Sequence, residues 1–149
     1  MKIFRLKKSQ KIPITTEKAW DFFSNPNNLT KITPHHMNFK FLENVEDFIY
    51  AGQIIKYNVR PILNIKMSWV TEISHVEQKK FFVDEQRFGP YRFWHHKHIF
   101  QVIDGGVKVI DILDYALPFG FLGLLFHPIT IKPKLNEIFN YREKKLIEI

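Results

Sequence analysis

Two imidazoles and a carboxylate on neighbouring predicted strands are the residues of this chain that could carry chemistry. His96 and His98 are two positions apart, so both side chains leave the same face of their strand. Asp84 and Gln86 have the same relation on the preceding predicted strand. A buried Asp–His pair shifts the titration of both groups and can act as a general acid or base. The catalytic candidates are therefore Asp84, His96 and His98.

The register of the hairpin that joins these two strands decides whether the polar groups meet. A three-residue connection at 89–91 places Asp84 opposite His96 and Gln86 opposite Trp94. A connection of two or four residues shifts the pairing by one position and separates the two sets. We adopt the three-residue connection.

The same side chains also allow a purely structural interpretation, in which Asp84, Gln86, His96 and His98 form a hydrogen-bond network that stiffens the sheet. No motif places a serine, threonine or lysine nucleophile beside them, so covalent catalysis is not predicted. The two histidines could share a metal ion with Asp84, but the spacing does not fix this third ligand. We therefore predict no metal site and no cofactor.

The composition excludes several classes of protein. The chain has 149 residues, 45% of them hydrophobic, and 15 are phenylalanine. This favours one compact domain over 1–149 and excludes a disordered chain. No cysteine is present, which excludes a disulfide scaffold, a thiolate zinc site and a thiol nucleophile.

Charge and hydropathy bear on partners and location. The formal net charge is +7, which we interpret mainly as a solvated surface, with transient contact to an anionic membrane surface left open. No nucleic-acid-binding signature is present. The first residues lack the apolar core of a signal peptide, and the apolar run at 117–126 is too short for a transmembrane helix. We expect a cytoplasmic protein.

The predicted elements that must position the polar groups follow a simple order. A first strand is predicted at 2–14, then a helix at 16–23 that Thr15 or Thr16 can cap, and a second short helix at 28–32. Six strands follow as an antiparallel meander at 37–45, 52–60, 64–75, 79–88, 91–103 and 107–116.

Apolar residues then recur at helical spacing, together with Arg142, and predict an amphipathic C-terminal helix at 133–147. Pro128 and Pro133 are predicted to separate this helix from a shorter apolar helix at 120–127.

The predicted fold class is α+β, with a curved seven-stranded antiparallel sheet wrapped around the long C-terminal helix and two short helices after the first strand. Where the curved sheet stands away from the helix, a cavity remains, and Leu125 belongs to an apolar stretch expected at its mouth. The candidate ligand-binding residues are Tyr57, Trp69, Thr71, Asp84, Gln86, Trp94, His96, His98, Tyr115 and Leu125.

This order of elements, with the residues that fill it, resembles the START/polyketide-cyclase (SRPBCC) superfamily of helix-grip proteins. The similarity is greatest to a bacterial branch of ligand-binding or cell-division-inhibitor-like proteins. The segments that carry it are Phe23-Ser24-Asn25-Pro26-Asn27-Asn28-Leu29, Ile32-Thr33-Pro34, Trp69-Val70-Thr71-Glu72-Ile73, Phe82-Val83-Asp84-Glu85-Gln86, Gly89-Pro90-Tyr91, Trp94 with His96, His98 and Phe100, Asp114-Tyr115-Ala116-Leu117-Pro118 with Gly120, Ile138-Phe139 and Tyr141-Arg142.

The resemblance implies a helix-grip fold with an internal cavity. In some relatives the domain precedes a nucleotide-sugar-epimerase-like domain, and none follows here, which implies action alone or with a separate epimerase-like protein. The chain departs from its relatives at Pro128 and Pro133, which interrupt a helix that is continuous in the others.

Three functions are consistent with these observations. In the first, the protein binds a small hydrophobic or amphipathic molecule between the sheet and the C-terminal helix. In the second, it is a cyclase, dehydratase or hydrolase that uses Asp84 with His96 or His98 as acid and base. In the third, it is a module that interacts with a protein or a membrane. The sequence leaves the ligand and the oligomeric state open.

Overall fold

The structure is a computed structural model that describes all residues 1–149. One antiparallel sheet contains the seven strands β1 Phe4–Ile12, β2 Lys40–Phe41, β3 Gln53–Val59, β4 Met67–Glu77, β5 Phe81–Phe88, β6 Phe93–Ile103 and β7 Gly106–Ala116. Their order in the sheet is β1-β7-β6-β5-β4-β3-β2. Strands β2 to β7 are therefore a meander, and β1 pairs with the last strand. Helices α1 Thr16–Phe23, α2 Gly120–Phe126 and α3 Lys132–Leu146 complete the fold.

The predicted fold class is confirmed: the chain is an α+β helix-grip protein with a curved seven-stranded antiparallel sheet and a long C-terminal helix. Two local predictions are wrong in extent. The strand predicted at 37–45 contains only Lys40–Phe41, and the second short helix is a 3-10 helix over Pro26–Lys31. Residues 42–52 have no alternation of apolar side chains that could be buried against the helix, so pairing with β3 stops after two residues.

Alternation along the long strands separates the two faces of the sheet. In β7, alternate residues from Val107 to Tyr115 are buried, and the residues between them are partly exposed. At one end of the concave face, Trp20 of α1 packs edge-on against Phe82 and Phe100. At the other end, a second cluster centres on Leu113 of β7 and Leu135 of α3. Apolar burial at both ends holds the sheet and the helices together.

The C-terminal helix runs without interruption from Gly120 to Leu146, through a π-helical segment at His127–Ile131. The prediction that Pro128 and Pro133 separate two helices is therefore wrong. A proline removes one N–H and crowds the preceding turn. The wider π turn accommodates this, since the N–H of Lys132 donates to the carbonyl of His127, five residues earlier.

His127 attaches the π-helical segment to the sheet. Its ring stacks on Phe4 of β1 with centroids 3.7 Å apart, and its Nε2 is hydrogen-bonded to the Tyr115 hydroxyl of β7 at 2.7 Å. Burial lowers the pKa of His127, and the positive charges of Lys132 and Lys2 lower it further. The neutral ring is therefore the form that this site favours.

Helix α2 buries none of its side chains. The large apolar residues at 119–129, which we call the exposed apolar segment, are all open to solvent; Phe119 is 81% exposed and Phe121 is 76% exposed. The segment comprises Phe119, Phe121, Leu122, Leu124, Leu125, Phe126 and Ile129. None of the helices combines the length and the apolar character that crossing a bilayer requires.

A histidine that is buried in its neutral form must titrate below the ordinary value. We expect the His127 ring protons in an NMR titration to report a pKa below 6.5, with the signal assigned by its loss in His127→Gln. Because the folded pKa is lowered, the contribution of His127 to stability is present above pH 6.5 and is lost as the pH falls towards the folded pKa. A midpoint at or above 6.5 would contradict this placement of the ring.

Candidate ligand-binding site

A cavity of about 160 Å³ lies between the concave face of the sheet, α3 and the 3-10 helix at Pro26–Lys31. Of the 27 residues that line it, 17 are hydrophobic, so most of its wall is apolar. Trp69 and Trp94 contribute from the sheet, Leu135 and Ile138 from α3, and Leu29 from the 3-10 helix. Partly exposed polar residues at the rim are Asn25, Asn28 and Thr33.

The volume limits the size of the occupant. A cavity of about 150 Å³ can hold a molecule such as benzene, whereas sites for drug-sized ligands begin at about 300 Å³. With its side chains in this arrangement, the cavity suits a molecule with one ring or a short chain.

The structure brings most of the candidate binding residues to this cavity. Those in its lining are Tyr57, Trp69, Thr71, Asp84, Trp94, His96 and His98. Gln86, Tyr115 and Leu125 lie outside it. The Gln86 amide donates to the carbonyl of Tyr91 and accepts from its N–H, which closes the β5–β6 connection. The Tyr115 hydroxyl contacts His127, and Leu125 belongs to the exposed apolar segment.

The predicted hairpin register is confirmed where the two strands pair. Asp84 lies opposite His96, and the ladder between β5 and β6 ends one position further on, at Glu85 and His95. Gln86 and Trp94, predicted to be opposite each other, lie beyond the paired region. The strands separate there because Gln86 binds the backbone of Tyr91 instead.

Four titratable residues meet at the inner wall, and we call them the Asp–His cluster: Asp84 of β5, His96 and His98 of β6, and Asp111 of β7. Asp84 Oδ2 lies 2.6 Å from His98 Nε2 and 3.5 Å from His96 Nδ1. Asp111 Oδ1 lies 2.9 Å from His96 Nε2 and 3.0 Å from His98 Nδ1. Asp84 Oδ2 and Asp111 Oδ1 therefore each lie between nitrogens of both rings.

Asp111 was not among the candidates from the sequence, although two signals point to it. It is the polar member of an otherwise apolar alternating series, between Val109 and Leu113. The tight turn at Asp104 and Gly105 also fixes the β6–β7 register that places Asp111 opposite His98.

Arg142 of α3 is the cationic neighbour of the cluster. Its Nη1 lies 3.7 Å from Asp111 Oδ1, and its side chain is only 11% exposed. Nε and Nη1 of Arg142 are buried without a hydrogen-bond partner, and the guanidinium lies against the ring of Phe139. The helical spacing identified Arg142 only as part of the packed face, because spacing does not say which polar group it meets.

The pKa shifts in the cluster reflect burial opposed by charge pairing. Burial alone would raise the pKa of Asp84 and of Asp111, but the nearby histidines, with hydrogen bonds from them, outweigh it and lower both values. For His98, burial lowers the pKa, and the two nearby carboxylates of Asp111 and Asp84 outweigh it and raise the value. Burial and the charge on His98 leave the pKa of His96 below its ordinary value.

These directions favour charge compensation within the cluster. The two carboxylates favour the charged form of His98 and face the Arg142 guanidinium, while the lowered pKa of His96 favours its neutral ring, which donates from Nε2 to Asp111. The protonated nitrogens are inferred from the contacts. The ring centroids of His96 and His98 are only 3.9 Å apart, which disfavours a second positive charge.

Asp84 is the most exposed member of the cluster, and it lines the cavity. Its side chain is 19% exposed, and Oδ1 accepts a hydrogen bond from Trp94 Nε1 at 3.3 Å. A proton can be transferred between Asp84 and His98 along their 2.6 Å hydrogen bond at the cavity wall. Nearby, the hydroxyls of Tyr57 and Thr71 are hydrogen-bonded at 3.2 Å, and burial raises the pKa of Tyr57, so its phenol stays neutral.

Comparison with solved structures extends over almost the whole chain. Protein CV1439 from Chromobacterium violaceum matches 97% of this chain and 96% of its own with a TM-score of 0.74 and 12% identity. The ginseng major latex-like protein 151 from Panax ginseng matches 98% and 96% with a TM-score of 0.68 and 13% identity. These likenesses establish the fold.

A third match covers only part of a longer protein. The nucleoside-diphosphate sugar epimerase from Corynebacterium glutamicum matches 96% of this chain and 28% of its own, with a TM-score of 0.67 and 22% identity. No protein-family model matches the chain, and neither does any curated protein.

Removing one carboxylate from the cluster should destabilise the fold strongly. In Asp111→Ala the His98 and Arg142 charges lose their shared partner, and a broken buried ion pair costs about 3–5 kcal/mol. We expect urea unfolding to show a loss of this size. The matched control is Asp114→Ala on the outer face of the same strand, where the partner Arg5 is exposed and the loss should be much smaller. Equal losses of unfolding free energy in the two variants would show that Asp111 does not compensate buried positive charge in the cluster.

Proposed function

We propose that the protein binds a small, mainly apolar molecule that carries one polar group, in the cavity between the sheet and α3. The observation that carries this proposal is the combination of a largely apolar lining with the Asp–His cluster on one wall. The apolar side chains supply affinity by removing ligand surface from water, and the polar wall orients the molecule.

The unpaired polar atoms in the lining indicate what the polar group should be. Trp69 Nε1 and the Nε and Nη1 of Arg142 are buried donors without an acceptor. A buried donor without a partner is unfavourable by about 1–3 kcal/mol. A ligand with an acceptor oxygen, such as a phenol, a carbonyl or a carboxylate, would complement these donors after small side-chain movements.

The solved structures of the same fold support a finer assignment as part of this proposal. We place the chain in the SRPBCC superfamily, in the ligand-binding branch that its sequence resembles. We include an epimerase-like partner in the proposal, because 28% of the chain of a solved nucleoside-diphosphate sugar epimerase matches this fold.

The cluster favours a second candidate function, acid–base catalysis on the bound molecule. Asp84 and His98 are 2.6 Å apart at the cavity wall, and Asp84 is open to it. A cyclase, dehydratase or hydrolase would use Asp84 with His98 or His96 to move a proton at the substrate. In this case the molecule recovered from the protein would differ from the one supplied, and in a binding protein it would be unchanged.

Ring-sized probes test the binding proposal directly. We expect 4-fluorophenol to bind with a dissociation constant of about 1 mM or lower, given the small apolar area that one ring buries. Binding should change the fluorescence of Trp69 and Trp94, which line the cavity, and shift the ¹⁹F NMR signal. 4-Fluorotoluene, which lacks the hydroxyl, should bind more weakly.

A cavity-filling variant gives the control. Thr71→Trp introduces a large side chain into the cavity and should abolish probe binding, whereas Val70→Trp, on the opposite face of β4, should retain it. Native mass spectrometry of the purified protein should reveal a co-purifying small molecule that Thr71→Trp lacks. Absence of both probe binding and a co-purifying molecule would refute the proposal.

The exposed apolar segment supports a membrane surface as the place where an apolar ligand is taken up. Contiguous exposed apolar side chains of this kind mark interaction sites. Lys2 lies over the ring of Phe4, which stacks on His127, and Lys132 follows the segment in the same helix, so positive charge borders the segment. Together with the net charge of +7, this favours an anionic bilayer surface over a neutral one.

Vesicle binding tests this contact. We expect the protein to co-sediment with vesicles of phosphatidylglycerol and phosphatidylcholine more than with phosphatidylcholine alone, and less at high salt. The double variant Phe121→Ser with Leu125→Ser should reduce binding several-fold. Phe88→Ser, which removes an exposed phenylalanine outside the segment, is the matched control. Equal binding by the two variants would exclude the segment as the contact surface.

A further inference from the structure

We propose that Asp84, His96 and His98 form a binding site for one divalent transition-metal ion in the wall of the cavity. The ligand atoms of these residues all lie within 4.8 Å of one another. The sequence alone could not fix a third ligand beside the two histidines, and the β5–β6 register now supplies Asp84 directly opposite His96. Two imidazoles and one carboxylate on one side of an ion are an established ligand set.

The distances are suitable for a metal after small movements. Asp84 Oδ2 is 2.6 Å from His98 Nε2 and 3.5 Å from His96 Nδ1. In a tetrahedral site with bonds of about 2.0–2.2 Å, neighbouring ligand atoms are about 3.3 Å apart. For the Asp84–His98 pair, coordination requires a withdrawal of less than about 1 Å, and Asp84 lines the cavity. The three ligand atoms otherwise lie within 4.8 Å of one another.

The orientation of both rings is the strongest argument for the site. His96 presents Nδ1 and His98 presents Nε2 to Asp84, so the remaining nitrogen of each ring faces Asp111 Oδ1, at 2.9 Å and 3.0 Å. Histidines that bind a metal almost always donate their second ring N–H to a carboxylate or carbonyl, which fixes the tautomer and the ring orientation. Asp111 supplies this carboxylate to both rings at once.

The unbound arrangement leaves one of these contacts incomplete. His98 Nδ1 is buried and, although 3.0 Å from Asp111 Oδ1, it is not aligned for a hydrogen bond. A small rotation of the ring, of the kind that coordination through Nε2 would impose, can align it. Binding of the metal and completion of the second contact therefore favour each other.

The donor set and its surroundings indicate the class of ion. Two nitrogens and one oxygen without sulfur suit Zn²⁺, Co²⁺, Ni²⁺ or Fe²⁺, whereas Mg²⁺ and Ca²⁺ prefer sites made of oxygen ligands. The two carboxylates attract the ion, and Arg142 offsets part of their charge. The remaining coordination position faces the cavity, where water or the acceptor oxygen of a ligand can fill it.

This site goes beyond the proposed binding function, because apolar burial of a ligand does not require a metal. In an acid–base enzyme, by contrast, Asp84 and His98 could either bind the metal or keep the hydrogen bond between them, but not both at once. The metal and the ring-sized probe are therefore measured separately, and either can fail alone.

The experiment uses the full chain without a histidine tag, after treatment with a chelator. We expect calorimetry with Zn²⁺ to show one equivalent bound, and Co²⁺ to give the visible absorption of a coordinated ion. Asp84→Asn and His98→Ala should each weaken Zn²⁺ binding by at least about 10-fold, and Asp111→Asn by about 10–100-fold. His95→Ala, whose side chain leaves the opposite face of β6, should bind as the unmodified protein does.

The change in Tm on adding Zn²⁺ is a second measurement. It compares each variant with itself, so it also applies to variants of low stability. At the same Zn²⁺ concentration, Tm should rise for the unmodified protein and for His95→Ala, and rise less for Asp84→Asn and His98→Ala. The proposal is overturned if the unmodified protein binds no stoichiometric Zn²⁺ or Co²⁺. It is also overturned if His98→Ala binds Zn²⁺ as tightly as His95→Ala does. If 4-fluorophenol binds but Zn²⁺ and Co²⁺ do not, the ligand-binding function stands and only the metal site is removed.

Discussion

Two carboxylates lie between the sheet and the C-terminal helix, in surroundings where an isolated charge is very unfavourable, and their neutralisation constrains the whole structure. Three adjacent strands contribute the Asp–His cluster, with Asp84 from β5, His96 and His98 from β6 and Asp111 from β7, and α3 contributes its cationic neighbour Arg142. A shift of one residue between any two of these strands would turn one partner to the opposite face and leave the others uncompensated. The hydrophobic pattern and the polar contacts therefore specify the same register.

The cluster also links the cavity to the helix that covers it. Asp84 contacts the cavity on one side and His98 on the other, while Asp111 joins both histidines to Arg142. A ligand or ion that changes the charge at Asp84 also changes, through His96 and His98, the electrostatic surroundings of Asp111, which faces Arg142 of α3. Recognition inside the cavity and the position of the helix are in this way parts of one electrostatic arrangement.

Most of the architecture could be predicted because it depends on local patterns. Alternation over the long strands, the turn at Asp104 and the short connection at 89–91 predict the meander and the pairing of Asp84 with His96. What the sequence did not reveal depends on contacts between distant segments. The role of Arg142 requires the packing of α3 against β7, and Gln86 is removed from the cavity by a backbone contact that alternation cannot describe. Asp111 could have been found by applying the same register argument one strand further.

The π-helical segment at His127–Ile131 has a consequence for the residues that precede it. Each residue of an α-helix advances the side-chain direction by about 100°, so a wider turn changes the phase between α2 and α3. Steps of three or four residues stay on one face of an α-helix. Counted back from buried Leu135, this face would contain Ile131, Pro128 and Leu124, and an unbroken α-helix would direct it to the sheet. In the structure Leu124 is exposed instead. The exposure of Leu124 therefore depends on this angular offset as well as on composition: in an unbroken α-helix its side chain would lie on the same side as Leu135.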